Sequence, residues 1–124
     1  MIEEAYVSFE IAKLLKEKGF NEYCFALYDS NKILIQSGIR LNNIQVGRVE
    51  GSYSAPTLQM AMKWLREVHN IFIEISVDEM FKDEGYQWAL YYNSTKEIRP
   101  YSGWSGSYEG ACESAIKYCL ENLI

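Results

Sequence analysis

The alternation of apolar and polar positions divides the chain into helical and extended stretches. In "IEEAYVSFEIAKLLKEKGF", Val7, Ile11, Leu14 and Leu15 recur at helical spacing. Acids open this segment and lysines close it, as the helix dipole favours, and Gly19 followed by Phe20 is a Schellman stop. "EYCFALYDSNKILIQSG" reads as two strands around a turn at Asp29, Ser30 and Asn31. Residues 39–50 are open, with Ile44, Val46 and Val49 compatible with a third strand. In "GSYSAPTLQMAMKWLREVHN" the stripe Leu58, Ala61, Leu65 and Val68, with Trp64 beside it, predicts a second helix. Ser54 is its expected N-cap, with Pro56 in the first turn.

The second half repeats the alternation. "IFIEISVDE" sets Ile71, Ile73, Ile75 and Val77 on one face and Glu74 and Ser76 on the other, a strand pattern of period two. "MFKDEG" is a polar connection and "YQWALYYN" the next strand. "KEIRPYSGW" is a candidate further strand that Pro100 confines to an edge or an end. In "SYEGACESAIKYCLENLI", Tyr108, Ala111, Cys112, Ala115, Ile116, Cys119 and Leu123 give a closing helix, with Ser107 able to cap it.

The two halves also match in letters. "FALYDSNK" (25–32) resembles "WALYYNSTK" (88–96), "SG" at 37–38 answers "SG" at 102–103, and "GSY" at 51–53 answers "GSY" at 106–108. Each "GSY" precedes a helix carrying "AMKW" or "AIKY". The expected fold is α+β in the order α-ββ(β)-α-ββ(β)-α, one domain over 1–124 with pseudo-repeat units 22–69 and 70–124. Its sheet is mainly antiparallel with helices packed against it. On this reading "SGWSGSY" is a sheet-to-helix connection. No phosphate-binding glycine motif is present, and Glu109 in the first turn of the helix opposes an anion there.

Composition narrows the function classes. A chain of 124 residues, 48% hydrophobic and 23% charged, is an ordinary globular length and balance. Its 15% aromatic content, including ten tyrosines, points to sheet surface, to a binding face, or to both. A net charge of −5 disfavours general nucleic-acid binding and is too small for a DNA mimic. Cys24, Cys112 and Cys119 have no CxxC spacing and read as buried thiols. The opening "MIEEAYVSFE" lacks the apolar core of a signal peptide, and no stretch approaches a membrane span, so a cytoplasmic protein is expected.

No catalytic constellation follows. His69, the single histidine, stands at the end of the second helix, where it serves the dipole or a carbonyl. One histidine and three scattered cysteines make no zinc site, and Asp78, Glu79, Asp83 and Glu84 lack the ligand pattern of a calcium loop. No metal or cofactor is expected. The candidate binding residues are Lys63, Trp64, Arg66, His69 and Trp104. Of these, Lys63, Trp64 and Arg66 pair basic with aromatic character, to which Arg40 and Arg48 could add.

The blocks "APTLQMAMKWLREVHNIFIEI" and "SYEGACESAIKYCLENLI" resemble a family of small proteins from Bacteroides-group bacteria, their phages and their mobile elements. The resemblance runs along nearly the whole chain: an opening "SFEIAKLLKEKGF" helix, an "APT…KWLREVHNI" block and a closing "SYE…A" helix. The family carries no assigned activity, so the resemblance implies context alone, a cytoplasmic protein linked to phage or prophage. Where its members show "SYEEA", this chain has Gly110. The leading expectation is an accessory module that binds a host or phage protein, or a second copy of itself. The alternatives are a nucleic-acid-associated protein using the Lys63–Arg66 face and a small enzyme.

Overall fold

The computed structural model describes residues 2–77, 85–92 and 96–124. The acidic cluster Asp78, Glu79, Asp83 and Glu84 and the connection 80–84 lie outside the described residues. The fold is α+β, with four helices and two three-stranded antiparallel sheets among the described residues. Two sheets thus stand where the repeat suggested one shared sheet. The chain divides into two compact units, Met1–Thr57 and Leu58–Ile124. The second predicted helix therefore groups with the strands that follow it, not with those that precede it.

The first unit begins extended. Tyr6 bridges to Thr57, and the Val7 N–H donates to the Pro56 carbonyl at 3.0 Å. Helix α1 (Phe9–Glu17) starts later than the apolar pattern implied, because the Ser8 side chain accepts the Ile11 N–H and fixes the N-terminus there. Glu3 and Glu4 consequently precede the helix, and Glu10 alone is the acid of its first turn. The Schellman stop forms as expected: Gly19 is left-handed at φ +93°, and the Phe20 N–H reaches back to the Leu15 carbonyl at 2.9 Å.

Strands β1 (Cys24–Tyr28) and β2 (Leu34–Leu41) form the expected hairpin. Asp29 builds its turn by accepting the N–H groups of Asn31 and Ile33 on one carboxylate oxygen. The open segment 39–50 resolves into the end of β2 and a single helical turn, α2 (Asn43–Val46). Asn42 and Gln45 make a reciprocal capping box there, which overrides the β-branched content. The third strand is instead β3 (Tyr53–Ser54), paired with β1 so that β1 is central. Ser54 is therefore a buried strand residue and not a helix cap. Its N–H donates to Asn43 Oδ1 at 2.8 Å, and Asn43 Nδ2 donates to the Phe20 carbonyl at 2.8 Å. One buried amide so ties together the end of α1, α2 and β3.

The second unit opens with α3 (Leu58–His69), which Asn70, left-handed at φ 58°, turns directly into β4 (Ile71–Val77). Trp64 is buried in α3, whereas Val68, expected in the apolar stripe, faces out. Strands β5 (Tyr86–Tyr92) and β6 (Lys96–Ser105) complete a sheet in the order β4-β5-β6, with β6, the strand that holds Pro100, at an edge. Helix α4 (Tyr108–Asn122) packs on all three strands and on α3. Ser107 caps it as anticipated, accepting the Gly110 N–H at 3.0 Å. A Cβ at Gly110 would collide with the Ser105 and Ser107 hydroxyls. Glycine at 110 thus makes room for the cap.

The internal repeat is roughly kept in the hairpin and the helix after it, β1–β2 before α3 and β5–β6 before α4, but the third strand follows the hairpin in the first half, as β3, and precedes it in the second, as β4. Both "ALY" segments lie in central strands, yet Ala26 is the buried member of one and Leu90 of the other. Both return strands are bulged. Two residues of β1 (Cys24 to Ala26) face five-residue spacing in β2 (Gln36 to Leu41), and Ala89 to Tyr91 likewise faces Glu97 to Ser102. The two "GSY" segments have different surroundings. Gly51 is left-handed at φ +81° and leads into β3, while Ser107 caps α4 and Tyr108 is already helical. No helix among the described residues is long and apolar enough to cross a membrane.

Candidate interaction surfaces

The basic and aromatic residues of α3 separate on folding. Lys63 and Arg66 are exposed, but Trp64 is only 7% exposed and lies edge-to-face against His69, with ring centroids 4.8 Å apart. The stacking ring that a nucleic-acid surface would need at this helix is therefore in the core. His69 is the last residue of α3, and its Nε2 is buried without a hydrogen-bond partner.

The three cysteines are all buried. Burial, with a smaller contribution from Glu22, pushes the Cys24 thiol up from 9.0 to about 12. Burial likewise lifts Cys119 to about 12 and raises Cys112. None of them is an activated nucleophile, since the thiolate form is strongly disfavoured near neutral pH. Among the described residues no group of three or more His, Cys, Asp or Glu side chains is placed to hold a metal ion.

A hollow of about 400 Å³ beside α1 and α2 is lined by Lys16, Phe20, Asn21, Asn43, Ile44 and Gly47. Its polar groups are already engaged. Asn21 Oδ1 accepts the Ile44 N–H, Asn43 is spent on Phe20 and Ser54, and the Lys16 ammonium lies 5.2 Å from the centre of the Tyr53 ring.

Two sheet surfaces remain open. On the first sheet, α1 covers one face, where Phe9 stands edge-on to Tyr28 and Tyr53 at 5.7 and 5.5 Å. The β1–β2 hairpin nevertheless exposes Tyr23, Phe25, Ile33, Leu34, Ile35 and Ile39, with Phe25 at 55% and Ile39 at 65%. Pairing of Leu27 with Ile35 places Phe25 and Ile35 on the face away from Cys24 and Ala26. Strand β2 is also an edge, and Arg40, whose guanidinium sits 5.7 Å from the centre of the Tyr23 ring, is its one charged residue.

On the second sheet, α4 covers the face of Ile71, Trp88 and Leu90, and the opposite face carries Phe72, Glu74, Ser76, Gln87, Ala89, Tyr91, Ser102 and Trp104. Trp88 and Trp104 both lie on glycines. A Cβ at Gly103 would overlap the Trp88 indole on the covered side, and one at Gly85 would overlap Trp104 on the open side. Trp104 therefore has one ring face backed by main chain while 53% of the residue stays exposed. It is the aromatic among the sequence candidates that the fold presents to solvent.

Comparison with protein-family models, with curated proteins and with solved structures finds no match. The surfaces themselves therefore carry the functional argument. Sequence reasoning missed the hairpin surface, although "KILIQSGIRL" already shows apolar residues in both phases of one strand. It also passed over Phe72, which shares the phase of Glu74 and Ser76.

Proposed function

We propose that this chain is a non-catalytic accessory module that docks a protein partner on its β1–β2 hairpin. The observation that carries the reading is the cluster of large apolar side chains, Phe25, Ile33, Ile35 and Ile39 among them, left in water on one short hairpin. Single exposed hydrophobics are ordinary, but a contiguous apolar patch on a sheet edge favours association, because covering it removes apolar area from water. The bulge from Ser37 to Arg40 interrupts regular edge pairing, which favours side-chain docking over indiscriminate strand addition. A cytoplasmic, phage- or prophage-linked setting, with a host or phage protein or a second copy of the chain as the partner, accords with the sequence resemblance.

Retention of partners from host lysate by the purified chain, followed by sizing, tests the reading. The chain is expected to hold a specific protein or to self-associate, and Phe25→Asp with Ile39→Asp is expected to abolish this at unchanged helix content. A wild-type monomer that retains nothing, or retention indifferent to both substitutions, would count decisively against it.

A further inference from the structure

The uncovered face of the β1–β2 hairpin carries opposite charges at its two ends. Along β1 the alternation puts Tyr23, Phe25, Leu27 and Asp29 in one phase, away from Cys24 and Ala26. Backbone pairing adds Ile35 beside Leu27 and Ile33 beside Asp29. At the open end, the Arg40 guanidinium lies 5.7 Å from the centre of the Tyr23 ring and has no carboxylate partner among the described residues. Glu22, at the same end, falls in the opposite phase, that of Cys24. At the turn end stands Asp29, which accepts the Asn31 and Ile33 N–H groups on Oδ1 alone and keeps Oδ2 for another donor. Lys32, three residues on, sends its ammonium to the face that α1 covers, 5.2 Å from the centre of the Phe9 ring.

A face that is basic at one end, acidic at the other and apolar between complements itself when turned end for end. A two-fold axis perpendicular to the strands lays β1 on the β1 of a second copy in the reverse direction, at the roughly 10 Å spacing of stacked sheets. Tyr23 and Asp29 are six residues apart, roughly 20 Å along an extended strand. With the axis near Ala26, Arg40 beside Tyr23 stands over the partner's Asp29, and Phe25 lies on the partner's Leu27. Stacking with the strands in the same direction would instead bring like charges together at both ends. The area is sufficient. Tyr23, Phe25, Ile33, Ile35 and Ile39, each about half exposed, offer roughly 500 Å² per copy. Two copies therefore withdraw roughly 1,000 Å² of mostly apolar surface before the charged ends are counted, enough for a specific though weak interface.

We infer that the chain forms a two-fold dimer through this face, with its β1 strands antiparallel and an Arg40–Asp29 ion pair at each end. This rests on the hairpin-docking reading and names its partner, a second copy of the chain.

The test is sedimentation velocity on the purified full chain, from low micromolar to near-millimolar loading and at low and high salt. A monomer–dimer equilibrium is expected, weakening as salt is raised. Phe25→Asp is expected to weaken it at least about a hundredfold and Arg40→Gln about tenfold, both with unchanged circular dichroism. Asp29→Asn, which keeps the turn acceptor and removes the charge, is expected to weaken it by a similar factor to Arg40→Gln. The double variant is expected to be little worse than either single one and to lose the salt dependence, because both changes break the same ion pair. The inference is overturned by a monomer at every loading, by a dimer indifferent to Phe25→Asp, or by Arg40→Gln and Asp29→Asn effects that multiply independently. A monomer that still holds a lysate protein, and releases it on Phe25→Asp with Ile39→Asp, overturns the second-copy inference and leaves the docking reading standing. A monomer that holds nothing overturns both.

Discussion

The two sheets share a plan and differ in which face they bury. Each has three antiparallel strands, an Ala-Leu-Tyr segment in the central strand, and a bulged return strand. In the first, Ala26 faces inward and Leu27 is half-buried, so the larger side chain of the pair is not the core residue. In the second, Leu90 is fully buried, beside Trp88 and under α4. The matched letters sit one residue out of phase with respect to the covered face, and in a strand one residue is the whole difference between core and surface. The first sheet consequently exposes a largely apolar set that includes Phe25, Ile35 and Ile39, while the open face of the second mixes aromatic with polar residues such as Glu74 and Gln87.

The largest test of this comparison is truncation of the two matched leucines. Leu90→Ala is expected to cost about 3 kcal/mol, as buried leucine truncations do, and Leu27→Ala about 1 kcal/mol or less. Equal urea midpoints for the two variants would erase the difference in phase. Next come the glycines of the matched "SG" pairs. Gly103→Ala drives a methyl into the Trp88 indole and is expected to cost about 2 kcal/mol. Gly38→Ala meets nothing within 4 Å and needs no left-handed backbone, so it is expected to be neutral or to stabilise by up to about 1 kcal/mol.

Alkaline titration separates the units by their thiols, since Cys24 lies in the first and Cys112 and Cys119 in the second. The folded thiols of Cys24 and Cys119 hold their protons to about 12, whereas the unfolded chain releases them from 9.0 upward. The unfolded state then binds fewer protons, so the stability these groups contribute is full below 9.0 and is lost as pH rises toward 12. At pH 10 the loss is about 1.4 kcal/mol per thiol. Between pH 8 and pH 10, Cys119→Ala should therefore lose less stability than the wild type does, and an unchanged slope would contradict the burial argument. The smallest effects concern the twin "GSY" serines. Ser107→Ala removes a helix cap and is expected to cost about 1 kcal/mol, while Ser52→Ala, at a buried position that caps nothing, is expected to cost less than that.

Much of the architecture was legible because its signals are local. The Schellman glycine at Gly19, the Ser107 cap and the β4 alternation each depend on residues within one or two turns of themselves. The Asn42–Gln45 capping box was equally local and was written in "NNIQ", but the β-branched residues around it drew the reading toward a strand. Ser54 misled for a different reason. A serine before proline resembles a cap, and nothing nearby shows that Asn43 will claim its N–H. Among the candidate residues, Trp64 and Trp104 are indistinguishable by composition and opposite in the fold, one in the core of α3 and one on an open sheet face.

By itself the chain determined the three longer helices, the β1–β2 hairpin, the β4 and β5 strands, and the solvent phase that holds Glu74 and Ser76, since each follows from short-range periodicity and capping chemistry. Only the tertiary structure decided that α3 belongs with the second sheet, that the strands form two sheets, and which aromatics remain exposed. Those outcomes depend on which faces meet, and a face is covered by residues distant in sequence, whose pairing no local pattern encodes.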